Sequence, residues 1–224
     1  MGAAHYAGRR DDSDGQLDHG YDGLKAFVED SILLALQHRS GISNEDVKAL
    51  GYISYYKRHL INNLCRGDRS YLEIGGLIGA SAIAAGSNHK NKVYTIDDFS
   101  YWEQVDVTTP DLRGEDVHGV NGLTQKQGFI TQVQKAKVDV TLYEADAMHV
   151  VPDVQVDVFM YDGDHDAWVT ERCLRRYIPV IQPKILLVDD FYSGQVQAGV
   201  FNAQLKPRWE WYTPFDNGFY VAIL

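Results

Sequence analysis

Cysteine is scarce in this chain of 224 residues, with Cys65 and Cys173 the only two. They are far apart, each inside an apolar helical pattern, and read as buried, reduced thiols. They offer neither a disulfide framework nor a zinc ligand set. No apolar run approaches the length of a membrane span. Arg9 and Arg10 are followed by acids, with no signal-peptide core behind them, so the expected location is the cytoplasm, with no membrane partner. Positive charge is also short. The formal net charge of -10 repels phosphate backbones and anionic headgroups, which argues against nucleic acid as a partner. Arg172, Arg175 and Arg176 are the best candidates for a local basic patch, but their spacing suits a solvated helix face. No internal repeat is present.

What remains is an ordinary globular composition, 45% hydrophobic and 23% charged, long enough for one domain with a real core. Tyrosine is frequent at 14, so polar-tipped aromatics should line surfaces or a cleft. Residues 1–20 are polar and glycine-containing and read as a flexible N-terminal segment. Residues 21–224 read as a single domain, with a helical extension over 21–68. In that extension Leu24, Phe27, Val28, Ile32, Leu33 and Leu36 recur at helical spacing between Gly23 and Arg39. A short helix is expected near Ser43 and another over Ser54–Cys65.

After Asp68 the pattern changes. Five short apolar runs, Tyr71–Ile74, Val93–Ile96, Val138–Tyr143, Val156–Tyr161 and Ile185–Val188, each lead into acids or glycine. Helical stretches lie between them, at Ala80–Ala85, Leu123–Lys135 and Trp168–Ile181. Strands alternating with helices imply a parallel sheet covered on both faces. Two final strand-like runs, Trp209–Thr213 and Phe219–Leu224, flank Asp216-Asn217-Gly218, a hairpin signal that makes the last strand antiparallel. The segment Phe99–Gly122 carries Pro110, Gly114 and Gly119 and reads as a long loop, a lid or binding loop.

The first strand runs into Glu73-Ile74-Gly75-Gly76-Leu77-Ile78-Gly79-Ala80-Ser81. Glycines let a ligand approach the backbone, and the following helix offers free N–H groups to a carboxylate or phosphate. The spacing is not the G-x-G-x-x-G of a dinucleotide site, and Glu73 is a poor neighbour for a pyrophosphate. An ammonium would suit it better. The methionine end of S-adenosylmethionine carries an ammonium, a carboxylate and a sulfonium, so that compound fits. Asp97, ending the second strand, can accept both hydroxyls of a ribose, and Asp146 after the third can reach an adenine amino group.

The fourth and fifth strands end in Asp162-Gly163-Asp164-His165 and Asp189-Asp190. Both ends fall on the carboxyl edge of the sheet, where open α/β folds hold their ligands. Converging carboxylates repel one another unless a cation sits between them. An all-oxygen set suits Mg²⁺ or another hard divalent cation. Helix capping by Asp164 or Asp166 is the plainer use of one cluster alone. His165 beside acids favours its imidazolium form, which argues against a free base at neutral pH.

With these blocks in order, E-I-G-G-L-I-G-A-S, I-D-D-F, Y-D-G-D-H and L-V-D-D-F, the stretch Tyr71–Tyr192 resembles class I S-adenosylmethionine-dependent methyltransferases. The turn is similar to that of catechol O-methyltransferase-like enzymes, and the later blocks resemble those of macrolide and aminocoumarin sugar O-methyltransferases. The resemblance implies a Rossmann-like, seven-stranded, mostly parallel α/β sheet with an antiparallel last strand, plus N-terminal helices. By matching position, Glu73, Gly75, Gly79 and Ser81 would hold the methionine portion. Asp97 would hold the ribose, Asp146 and Ala147 would flank the adenine, and Asp162, Asp189 and Asp190 would bind Mg²⁺. Asp164 matches the base of the sugar-methylating relatives, with His165 as its alternate. The chain departs from those families at Gln182-Pro183-Lys184, where they carry Gly-Gly before the fifth strand.

The implied activity is O-methylation of a small hydroxylated acceptor such as a sugar, polyol or catechol. Three other readings remain: a non-catalytic S-adenosylmethionine-binding protein or partner subunit, a metal-independent methyltransferase, and a nicotinamide oxidoreductase, which the glycine spacing disfavours. A homodimer, with the N-terminal helices as a contact, is left open.

Overall fold

A computed structural model describes residues 19–109, 112–213 and 215–224. The flexible segment expected over 1–20 falls, up to residue 18, outside the described residues. The first helix, α1 (His19–Leu36), begins earlier than Gly23. A single 3-10 turn, Asp46–Lys48, stands where the short second helix was expected. Next comes α2 (Tyr55–Leu64), whose N-cap Ser54 accepts from the Lys57 amide, the usual way to satisfy an orphan amide of the first turn.

The sheet strands are β1 (Tyr71–Ile74), β2 (Val93–Asp97), β3 (Val140–Glu144), β4 (Val158–Tyr161), β5 (Ile185–Asp189), β6 (Trp209–Thr213) and β7 (Phe219–Ile223). Their spatial order is β3-β2-β1-β4-β5-β7-β6. The first five are parallel. The last strand, β7, inserts between β5 and β6 and runs antiparallel to both. Its turn places Asp216, Asn217 and Gly218 all at positive φ, +54°, +58° and +81°, a conformation for which Asn, Asp and Gly are the tolerant residues.

The interleaved helices are α3 (Ala80–Gly86), α4 (Gln125–Lys135), α5 (Ala167–Ile181) and α6 (Gly194–Asn202). Strand alternation explains the two layers. Tyr71, Val158, Met160, Ile185 and Leu187 face the core under α1–α4. Leu72, Ile74, Phe159, Leu186 and Val188 face the core under α5 and α6. The sequence pattern does not show α6, because its two glycines and two valines make a weak helix former. Packing forms it instead. Val196 and Val200 are buried, and a Cβ at Gly199 would overlap Thr170 and the Ala167 carbonyl of α5.

The described residues of the segment 99–122 form no helix or strand, as its composition implies, yet the segment is anchored. Gly51 and Arg113 exchange backbone hydrogen bonds of 2.9 Å each. Val105 and Val120 are buried with Leu50 and Ile78. Both cysteines are buried and free. Arg175 pairs with Glu171 at 3.2 Å, Arg176 donates to the Met148 carbonyl, and Arg172 lies over the Trp168 ring. Those three arginines therefore act within the fold. Among the described residues no helix is long and apolar enough to cross a membrane.

Candidate active site

A cleft of about 1010 Å³ opens along the carboxyl edge of β1, β2, β4 and β5. Its floor is the turn after β1. Gly75 sits at φ +89°, and a Cβ there would overlap the Asp162 carbonyl of the neighbouring strand end. Gly79, at φ +96°, is the N-cap of α3. Both glycines are structural necessities, but only Gly75 of the two lines the cleft; Gly79, expected to hold the methionine portion, faces Phe129 and Val133 instead.

Glu73 is placed differently from the expectation that it would meet an ammonium. Its side chain is fully buried and lies beneath the turn, outside the cleft lining. Tyr71 and Thr95 donate to its two oxygens at 2.9 Å each, and Ser81 also donates to it. Burial pushes this carboxyl up to about 7, against the lowering effect of those three hydroxyls. The physical reason is local: residue 73 shares its face with Tyr71, the side that packs under α3. Glu73 thus braces Ser81, which does line the cleft, and reaches the cavity only through it.

Asp97 lines the cleft. Its Oδ2 accepts from the Leu77 amide at 2.8 Å and its Oδ1 from the Phe99 amide at 2.6 Å. Burial raises its pKa, and those amides oppose the shift. The carboxylate is therefore fixed in orientation, with lone pairs left for further donors. Gln125, the first residue of α4, donates toward Asp97 at 3.4 Å and accepts from the Trp102 amide at 2.9 Å. At the far end, Asp146 accepts from the Met148 amide at 2.7 Å and meets His149 at 3.1 Å. Ala147 and Met148 line the same end.

The ends of β4 and β5 bring Asp162, Asp164, His165, Asp189 and Asp190 to the cleft. Within that group Asp162, His165 and Asp190 each place one donor atom within 4.8 Å of the others, and His165 Nε2 lies 3.2 Å from Asp190 Oδ2. Asp189 is arranged otherwise. Its carboxylate is paired with the buried ammonium of Lys57, which also donates to the Asp216 carbonyl at 2.7 Å. Asp162 is raised well above the usual carboxylate range by burial first, then by the charges of Asp189 and Asp190, while Lys57 opposes the shift. Asp189 is raised by burial and by Asp190, with Lys57 pulling it back. Asp164 keeps an exposed carboxylate, with Oδ1 accepting from the Asp166 amide at 2.9 Å. Capping of α5 falls to Asp166, which accepts from Trp168 and Val169.

Lys57, Arg58 and Gln125 are the participants the sequence reading passed over. The signal for Lys57 was present: it shares one helical stripe with Leu60, Ile61 and Leu64, all fully buried, and a cation on an apolar stripe requires a partner. Arg58 is also fully buried. It donates to the carbonyls of Ile53 at 3.0 Å, Val47 at 2.7 Å and Ala49, and to Arg113 at 3.3 Å. Burial lowers its pKa to about 10. It shapes the backbone over 47–53, of which Gly51–Ile53 line the cleft.

No protein-family model matches the chain, and neither does the sequence of any curated protein. Solved structures do. The O-methyltransferase TomG of Streptomyces achromogenes, involved in tomaymycin synthesis and in complex with S-adenosylmethionine, is 16% identical with a TM-score of 0.56, over 90% of this chain and 98% of that one. The Podospora anserina methyltransferase PaMTH1, bound to S-adenosylhomocysteine, is 15% identical with a TM-score of 0.52, over 94% and 97% of the two chains. The sheet order, the glycine turn after β1 and these likenesses agree: the chain has the fold of the class I S-adenosylmethionine-dependent methyltransferases.

Proposed function

We propose that this protein transfers the methyl group of S-adenosylmethionine to a hydroxyl oxygen of a small acceptor. The observation that carries this reading is the placement, along one sheet edge and one cleft, of the Gly75–Gly79 turn, Asp97 and the Asp162–His165–Asp190 group. The turn and Ser81 receive the methionine portion, Asp97 with Gln125 the ribose, and the Asp146–Met148 end the adenine. The sulfonium then faces the strand ends that carry the acidic cluster.

The cluster fits a divalent cation. Among the described residues no hydrogen bond or ion pair reaches the Asp162 carboxylate, and burial together with two neighbouring carboxylates disfavours its charge. A cation held by Asp162, Asp190 and His165 would relieve that repulsion. When bound, it would lower the pKa of an acceptor hydroxyl and fix its direction. Asp164, exposed at the mouth, takes the hydroxyl proton. The acceptor oxygen forms a bond to the methyl carbon as the carbon–sulfur bond breaks, leaving S-adenosylhomocysteine. Holding oxygen, methyl and sulfur in line supplies much of the acceleration.

Two features favour this over a cofactor-binding protein without catalysis: the acidic cluster costs electrostatic energy, and in this reading it adjoins the methyl position rather than the ribose. The test is methyl-labelled S-adenosylmethionine incubated with catechols, sugars, polyols and their amino-substituted analogues in the presence of divalent cations. An O-methyl ether as product supports the reading. Label appearing only on nitrogen overturns the oxygen assignment.

A further inference from the structure

The three aspartates at the ends of β4 and β5 do not share one environment. Asp189 lies 6% exposed against Lys57, itself 3% exposed. Asp190, one residue on, turns outward at φ +48°. That left-handed backbone is unusual for a residue with a side chain, and it sends neighbouring carboxylates in different directions. The Asp190 amide donates to Asp189 Oδ1 at 2.7 Å, so the oxygen that meets Lys57 also carries a second donor. Lys57 is in turn fixed by the Asp216 carbonyl and lies 5.5 Å from the centre of the Phe219 ring. The pair therefore ties α2, the end of β5 and the β6–β7 turn together.

We infer that Lys57 is a positioning residue that claims Asp189 and leaves Asp162, His165 and Asp190 as the ion-binding set. This rests on the reading that the cleft holds a divalent cation. The consequence is selectivity. Three aspartates would form an all-oxygen site suited to Mg²⁺ or Ca²⁺. Two carboxylates and one imidazole favour Mn²⁺, Fe²⁺ or Zn²⁺, because imidazole nitrogen binds first-row transition ions far better than it binds Mg²⁺. Lys57 acts as a built-in cation on Asp189, and it makes a second bound ion there unfavourable by charge.

The experiment is Mn²⁺ titration followed by electron paramagnetic resonance of the free ion, on the full chain with S-adenosylmethionine present. Competition with Mg²⁺ is measured alongside, and a parallel calorimetric titration reads S-adenosylmethionine binding. The expected result is one Mn²⁺ per chain, displaced only by a Mg²⁺ excess of about 100-fold or more. Asp162→Asn and His165→Ala should each weaken Mn²⁺ by about 10-fold or more. The double variant Lys57→Met/Asp189→Leu, which removes both charges of the pair together, should change it by less than about 3-fold. In His165→Ala, Mg²⁺ should compete on nearly equal terms.

Lys57→Met/Asp189→Leu weakening Mn²⁺ as much as Asp162→Asn overturns the inference, as does an unchanged affinity in His165→Ala. A chain that binds S-adenosylmethionine but no Mn²⁺ also overturns it, and leaves the methyltransferase reading standing. The predicted Mn²⁺ pattern in a chain that does not bind S-adenosylmethionine supports the ion-binding set while removing the methyltransferase reading.

Discussion

The Lys57 ammonium and the Asp189 carboxylate form a buried ion pair that joins the N-terminal helical region to the end of β5. Breaking a buried pair by removing one partner leaves an uncompensated charge, typically at a cost of about 3–5 kcal/mol. Lys57→Met should therefore lower stability by roughly that amount in urea denaturation. The double variant Lys57→Met/Asp189→Leu should recover most of it, since an apolar pair of similar size is often tolerated. Equal losses in the single and double variants would show that the pair is not the source.

Gly75 is the position in the floor that tolerates least. Its positive φ and the overlap of any Cβ with the Asp162 carbonyl both act against Gly75→Ala. The strain alone is worth about 1–3 kcal/mol, and the overlap adds to it by moving the β4 end. Gly122 also has a positive φ, +79°, but open space around it, so Gly122→Ala should cost only about 1–2 kcal/mol. Thermal denaturation of the two variants side by side separates strain from collision. Only Gly75→Ala should also reduce S-adenosylmethionine affinity.

Glu73 gives a pH signature. Its carboxyl is raised from the ordinary value near 4.5 to about 7. A group whose pKa is raised on folding favours the folded state while it is protonated. That contribution is fully present below about 4.5 and is lost as pH rises through 7. The difference corresponds to up to about 3 kcal/mol at pH 8. Glu73→Gln, which stays neutral, should flatten the fall in stability between those limits and be the more stable protein at pH 8. A parallel pH profile for the two proteins would contradict the buried placement.

Asp97 should matter to ligand affinity more than to folding. Asp97→Asn keeps the shape and one acceptor oxygen but loses charge-assisted bonds to the ribose hydroxyls. A loss of about 1.5–3 kcal/mol, or roughly 10- to 150-fold in Kd, is expected by calorimetry. Unchanged affinity would place the ribose elsewhere.

The architecture was legible because its signals are local and periodic. Continuous apolar runs such as Ile185–Val188, each followed by acids, mark parallel strands, and the Asp216-Asn217-Gly218 turn marks the antiparallel end. Which layer each strand residue faces is set by alternation, though continuous apolar runs buried on both faces do not display it. Applied to Glu73, the same alternation would have placed its side chain with Tyr71 beneath α3 rather than in the cleft. What escaped depends on tertiary partners. The helix α6 forms because Gly199 lets it lie against α5, and glycine reads locally as a breaker. The split between Asp189 and Asp190 depends on a lysine 132 residues away, and no spacing rule links the two. The segment 99–122 was recognised as a loop, but its anchoring through Gly51 and Arg58 involves backbone carbonyls, which leave no trace in residue type.

The most direct test of the central claim is calorimetric titration of S-adenosylmethionine into the protein, with Asp97→Asn as control. The account predicts saturable binding with one site per chain, competed by S-adenosylhomocysteine and weakened in the variant. Absence of binding by the folded protein would contradict it, and would leave the class I fold with an acidic cleft serving some other ligand.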